Sequence, residues 1–162
     1  MDTCDRLFAF LNAMDAPYTR LSHKPCRTSA ECREVRGNAG YPDAVGAKAL
    51  IIQLERLKEF AVVVLPGHLR LDNTAVRKLF GPFRFVTPGQ ADSLTGGLEF
   101  GTIPPFARPV LSGIDRLCVD ERLLSSAEIG FNAASLEISL VMTASAYDRL
   151  PMAKSVVSVS RD

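Results

Sequence analysis

Ala49-Leu-Ile-Ile-Gln-Leu54, the charged turn Glu55–Glu59 and Phe60-Ala-Val-Val-Val-Leu65 decide the fold class. Two short apolar runs rich in branched side chains, joined by a charged turn, read as adjacent strands of a hairpin. Because both are apolar nearly throughout, they belong near the centre of a sheet. Toward the N-terminus, Asn38–Gly46 reads as a loop, with two glycines, Tyr41 and Pro42. Before it, Thr28-Ser-Ala-Glu31 is a capping box, predicting a short helix over 29–36 with Gly37 as its C-cap. Tyr18–Leu21 is a short extended piece. Leu7, Phe8, Leu11 and Met14 recur at helical spacing, so residues 3–15 form an amphipathic helix, capped by Asp2 or Thr3 and ended by Pro17.

Toward the C-terminus, Asp72 caps a helix with Val76, Leu79 and Phe80 inward, stopped by Gly81-Pro82. Phe83–Val86 reads as a strand and Pro88–Leu94 as a short helix. Residues 95–109 hold Gly96, Gly97, Gly101, Pro104, Pro105 and Pro109, too many for a regular element. A constrained loop of this length inside a compact domain is more often functional than idle. Val110–Asp115 then resumes extended structure, and Glu121–Ser125 is a turn or short helix. Glu128–Phe131 and Leu136–Leu140 pair as a second hairpin around Asn132-Ala-Ala. Ser145–Leu150 is a last short helix and Val156–Val159 an edge strand. Strands follow one another directly, so the class is α+β (mixed α/β) without doubly wound alternation.

At 162 residues, 47% hydrophobic and 23% charged, the chain reads as a single domain (1–162) with a real core. A formal charge of +1 excludes bulk polyanion binding driven by net charge. No apolar run approaches the roughly 18 residues of a membrane span. The start, MDTCDRLFAF, is acidic and polar, unlike a secretory signal. The expectation is a soluble, cytoplasmic protein. Its four cysteines (Cys4, Cys26, Cys32, Cys118) contain no CxxC pair and are expected as small, reduced, partly buried side chains.

Most standard catalytic machinery is missing. There is no GxSxG elbow, HExxH, GxGxxG or phosphate-cradling loop with Lys-Ser/Thr, and His23 and His68 are the only histidines. His23-x2-Cys26-x5-Cys32 matches no common metal spacing, so neither metal nor cofactor is expected. Three local features remain. Lys48 opens the first central strand after Gly46-Ala47; it either snorkels from a strand end or holds a phosphate as a point charge. Gly101-Thr-Ile-Pro-Pro105 is either a tight surface turn or a rigid bend whose glycine lets a ligand approach backbone N–H groups, which stabilise an oxyanion without a side chain. Arg20, Lys24, Arg27, Arg33 and Arg36, against Glu31 and Glu34, form either a solvated helix face or a nucleic-acid contact.

Four motifs occur in order: His23-Lys-Pro-Cys-Arg-Thr28-Ser-Ala-Glu31, Gly46-Ala-Lys48-Ala-Leu-Ile, Gly101-Thr-Ile-Pro104-Pro-Phe106 and Phe131-Asn132-Ala-Ala-Ser135-Leu-Glu-Ile. This succession, over residues 18–150, resembles the YbaK/ProX family of free-standing aminoacyl-tRNA deacylases. That family is related to the editing insertion of bacterial prolyl-tRNA synthetase. The resemblance implies a curved mixed β-sheet or barrel-like core with surrounding short helices. It implies hydrolysis of a mischarged aminoacyl-tRNA ester, with the tRNA 3′ acceptor end as partner and a synthetase as a further one. The expected state is a monomer or, by pairing of the Val156–Val159 edge strand with a second copy, a weak homodimer. By the same resemblance Lys48 holds the 3′-end phosphate or ribose, and Gly101 lies against the ester. His23 and Thr28 line the pocket mouth, the Thr102-Ile103-Pro104 bend contacts substrate, and Asp115 is structural. Asn132 falls near a position that is His in the alanine-editing branch. This departure leaves the amino acid open among Ala, Cys, Ser, Thr and Pro. Two other classes of function compete: a non-catalytic module of the same fold that binds tRNA or a synthetase, and a thiol-redox protein using Cys26 and Cys32.

Overall fold

The computed structural model describes residues 1–162. Its main sheet is built on the predicted hairpin: β2 (Val45–Leu54) and β3 (Glu59–Pro66) run antiparallel, in register from Ala47 opposite Pro66 to Leu54 opposite Glu59. The sheet order is β1-β8-β7-β2-β3-β6-β9, mixing parallel and antiparallel pairs. β1 (Thr19–Ser22) pairs with β8 (Ile138–Thr143), which makes the second hairpin with β7 (Glu128–Asn132). β6 (Arg116–Asp120) runs parallel to β3, and β9 (Ser155–Val157) parallel to β6 at the sheet edge. β5 (Phe83–Phe85) adds to the far end of β2, while β4 (Arg70–Leu71) and β10 (Ser160–Arg161) form a separate two-stranded sheet.

Side-chain alternation covers both faces of the central strands. Val62 and Val64 of β3, with Ala47, Ala49 and Ile51 of β2, join the larger cluster around Leu7, Leu11, Phe106, Phe131 and Tyr147. Ala61 and Val63, with Ile52 and Leu54, face the smaller one around Val76, Cys118 and Val159. Helix α1 (Thr3–Ala13) covers the first side with Leu7 and Leu11, and α3 (Asn73–Phe80) the second with Val76. α2 (Ser29–Asn38) and α4 (Pro88–Thr95) begin with capping boxes. α5 (Glu121–Leu124) and α6 (Ala144–Asp148) are single turns, capped by Asp120 and Thr143.

Several expectations need correction. β2 begins four residues early because Val45 and Gly46 pair with Ile129 and Gly130 of β7, so Lys48 lies inside the strand and not at its opening. Val110–Asp115 is a run of turns, in which the Leu111 amide bonds to the Ala107 carbonyl and the Ile114 amide to the Leu111 carbonyl. Val110, Leu111 and Ile114 are buried there without a strand, and the strand proper starts at Arg116. α2 runs through Gly37 to Asn38, and Gly40, at φ +101°, makes the left-handed turn after it. Leu79 is 52% exposed. Val76 and Phe80, one helical turn apart, form the buried stripe of α3, and Leu79 lies off it. The last edge strand stops at Val157, and the amide of Val159 turns inward to Asp120 Oδ1 at 2.8 Å. No helix is long and apolar enough to cross a membrane.

Candidate active site

The segment preceding α2 meets the 95–109 loop at Gly101. This glycine lies in a 3₁₀ turn, Phe100–Thr102, and a Cβ added to it would stand 2.4 Å from the Arg27 carbonyl oxygen. The close approach that demands glycine is therefore made by the chain's own backbone. Within the bend, the Thr102 amide and hydroxyl both donate to the Glu99 carbonyl, at 2.9 and 2.7 Å, and the Ile103 amide to the Phe100 carbonyl at 3.5 Å. Pro104 and Pro105 have no N–H. From Gly101 to Pro105, the Gly101 amide alone finds no acceptor in the chain, and Gly101 is exposed. Thr102, Ile103 and Pro104 are buried beneath it, Ile103 as part of the main core.

Asn132, at the end of β7, is 4% exposed and ties the two segments together. Its Nδ2 donates to the Gly101 carbonyl at 3.1 Å and to the Cys26 carbonyl at 3.2 Å. Its Oδ1 accepts from Arg36 Nη2 at 3.2 Å and faces Ser139 Oγ at 3.1 Å. Both sides of the amide are thus engaged within the protein. Arg36, expected among exposed cations, is 5% exposed, and its Nε donates to Ser139 Oγ at 3.1 Å. No carboxylate pairs with it, and burial lowers its pKa to about 10. Gly130 makes room for this side chain, since a Cβ there would sit 2.9 Å from Arg36 Cδ; Gly46 also faces it, where a Cβ would meet Nη1 at an ordinary 3.5 Å. His23 joins the same network, with Nε2 2.7 Å from Ser139 Oγ and Nδ1 2.8 Å from the Lys24 carbonyl. A carbonyl only accepts, so Nδ1 donates its proton to the Lys24 oxygen.

Thr28 is exposed, and its hydroxyl caps α2 by accepting from the Glu31 amide at 3.1 Å. The Glu31 carboxylate accepts in turn from the Thr28 amide, and this bond holds its pKa below the usual carboxylate range. Lys48 sits half-buried on β2, two residues from Gly46, so both project from one face of the strand. Its ammonium donates to the Leu69 carbonyl. Burial, helped by the nearby positive charge of Arg70, lowers its pKa, and no carboxylate neutralises it. An anion placed at Nζ relieves that penalty. The Lys48 end of β2 reaches α2 through Gly67, whose amide donates to the Gly46 carbonyl at 2.7 Å; a Cβ on Gly67 would lie 2.9 Å from Ser29 Oγ.

Beside Gly101 opens a cavity of about 440 Å³, lined by Arg27, Asp92, Glu99 and Phe100 among others. Arg27 Nε pairs with Glu99 Oε2 at 3.2 Å across its rim. Asp115 pairs with Arg108 at 2.8 Å on the surface. No three His, Cys, Asp or Glu side chains gather as a metal-ion cluster. Cys26 and Cys32, expected as free thiols, are joined in a disulfide. The capping turn folds Cys26 back over the first turn of α2, bringing the two Cα atoms to 5.1 Å, within disulfide reach. Cys4 and Cys118 are free thiols whose pKa values burial raises.

Sequence reasoning missed Arg36 and Ser139 as parts of this site. Arg36 read as one more cation on a basic helix, and only the glycines opposite it at 46 and 130 hinted at a large buried group.

None of the curated proteins matches the chain in sequence. Among solved structures, hypothetical protein APE2540 superposes with a TM-score of 0.80 at 26% identity, covering 96% of this chain and 99% of that one. A proposed trans-editing enzyme for prolyl tRNA synthetase superposes at 0.77 and 19% identity, over 100% and 99% of the two chains, a likeness of fold. The family model of the aminoacyl-tRNA editing domain matches residues 23–150, from the histidine at the Ser139 network through Lys48, Gly101 and Asn132 to beyond α6; by that match the chain belongs to the aminoacyl-tRNA editing domain family.

Proposed function

We propose that the protein is a trans-editing hydrolase. It cleaves the ester between a wrongly attached small amino acid (Ala, Cys, Ser or Thr, with Pro also open) and the 3′ end of tRNA-Pro or a similar tRNA. The observation that carries this reading is the amide of exposed Gly101, the one N–H of the Gly101–Pro105 bend without an acceptor in the chain. A water attacks the ester carbonyl, and the negative charge developing on its oxygen takes a hydrogen bond from that amide. The C–O bond then breaks, releasing the free amino acid and the ribose hydroxyl of the tRNA. An activated ester needs little more than such positioning, with the neighbouring ribose hydroxyl assisting attack. Lys48, a half-buried cation without a carboxylate, holds the 3′-end phosphate or ribose.

His23 and Thr28 border the pocket mouth. Thr102, Ile103 and Pro104 hold the bend, and Asn132 anchors it through the Gly101 carbonyl. No cofactor takes part. The protein works in the cytoplasm as a monomer or weak homodimer, meeting charged tRNA directly or through a synthetase.

The test is a deacylation panel: tRNAs carrying Ala, Cys, Ser, Thr and Pro, with wild type beside Lys48→Ala. Wild type is expected to hydrolyse one ester or a small subset, and Lys48→Ala to lose at least about tenfold in kcat/KM, the worth of one charge-assisted contact. Full activity of Lys48→Ala on every substrate refutes the role of the lysine. Tight tRNA binding without cleavage of any ester replaces the hydrolase with a binding module of the same fold.

A further inference from the structure

We propose that the cavity beside the Gly101 turn is a nucleobase pocket in which Phe100 stacks the terminal adenine of the tRNA; the identity of that base rests on the proposed function. Phe100 is 57% exposed, the most exposed of the nine phenylalanines. Phe85, the next, packs edge-on against Phe83 with ring centroids 5.8 Å apart, whereas no aromatic ring or cation lies against Phe100. A ring left in water forgoes burial that would stabilise the fold. It sits in a constrained loop at the wall of a cavity of about 440 Å³, a size that suits a small planar ligand. Exposed aromatics beside such spaces are the platforms on which bases stack.

The polar lining selects the kind of ligand. Asp92 and Glu99 present carboxylates, and the only cation, Arg27, already pairs with Glu99 at 3.2 Å. Asp92 makes no side-chain hydrogen bond or ion pair within the chain. A phosphate is repelled from this lining, while the exocyclic amine of a base has an acceptor waiting. The cavity therefore takes an amino-bearing base and leaves the phosphate to Lys48. Shared lining names which base: Phe100 and Gly101 border the same cavity, so a nucleoside stacked on the ring has its ribose beside the Gly101 turn. That ribose is the one carrying the ester.

The chain contains no tryptophan, so Phe100→Trp makes a single-site fluorescent reporter. Titration with adenosine 5′-monophosphate should quench it saturably, and ribose 5-phosphate, which lacks the base, should not. By calorimetry, Phe100→Ala should bind adenosine 5′-monophosphate about tenfold or more weakly than wild type, and its KM for charged tRNA should rise with kcat nearly unchanged. Equal quenching by ribose 5-phosphate, or unchanged nucleotide affinity in Phe100→Ala, overturns the pocket. The two readings fail separately. Base-dependent binding at residue 100 without hydrolysis of any charged tRNA keeps the pocket and removes the hydrolase. Hydrolysis indifferent to Phe100→Ala keeps the hydrolase and removes the pocket.

Discussion

Gly101→Ala isolates the contact on which the site is built. The new Cβ would stand 2.4 Å from the Arg27 carbonyl oxygen, where ordinary contact begins at 3.4 Å, so one of two backbones moves by about 1 Å. Neither is free to do so. Arg27 lies between Cys26, bonded to Asn132 and Cys32, and Thr28, the cap of α2, while the Gly101 carbonyl is held by Asn132. Overpacking of this kind costs about 1–3 kcal/mol. For a chain of this length, each kcal/mol lowers the melting midpoint by about 2–4 °C, so a fall of about 2–12 °C is expected by circular dichroism. A misplacement of about 1 Å at the reacting centre costs on the order of 100-fold in rate, so single-turnover deacylation should fall by that factor. The clash involves backbone atoms of Arg27, so Arg27→Ala should not relieve it. Double and single variants should then add within about 0.5 kcal/mol in urea denaturation. A midpoint within about 1 °C of wild type, or rescue by Arg27→Ala, refutes the reasoning.

Asn132→Leu should cost about 2–5 kcal/mol, because it leaves the Cys26 and Gly101 carbonyls without a donor and removes an acceptor from buried Arg36; a urea-determined loss under about 1 kcal/mol would contradict the hub assigned to it. Tyr147→Phe deletes a buried hydroxyl that donates to the Pro105 carbonyl and should cost about 1–3 kcal/mol; an unchanged midpoint would show that the Gly101–Pro105 loop does not lean on that bond. Glu31 has a folded pKa below its ordinary value of 4.5, through its bond to the Thr28 amide, so its contribution to stability is complete above pH 4.5 and is lost as pH falls through the lowered value. Glu31→Gln keeps the capping geometry without the titration and should flatten the acid side of the stability profile. Superimposable acid profiles for the two proteins would count against the capping box as the source of that shift.

Much of the fold was legible because its signals are local. The two apolar runs, the capping boxes and the turn residues act over a few positions, and β2, β3, β7, β8 and α1 lie within a few residues of where their patterns put them. Misreadings fall where a distant partner decides. Val45 and Gly46 become strand only because β7 lies alongside them, and Val110, Leu111 and Ile114 are apolar enough for a strand yet are buried from turns. Charge was misread for the same reason. Nothing near Arg36 in sequence distinguishes it from Arg33, which is exposed, whereas Arg36 lies over Gly46 and Gly130.

By itself the sequence determined the main helices, the two hairpins, the mixed class and the identity of the chemical groups that matter: a lysine in an apolar strand, a glycine in a proline-stiffened bend and no conventional catalytic set. Propensity, periodicity and capping depend on neighbours along the chain, so a linear reading captures them. What each group does was decided by tertiary structure alone. Only there is Gly101 pressed against the Arg27 carbonyl with its amide left free, and only there do Asn132, Arg36, Ser139 and His23 form one network. Those contacts bridge residues tens to a hundred positions apart, and hydrogen bonds and steric exclusion act within a few ångströms of space, whatever the separation along the chain.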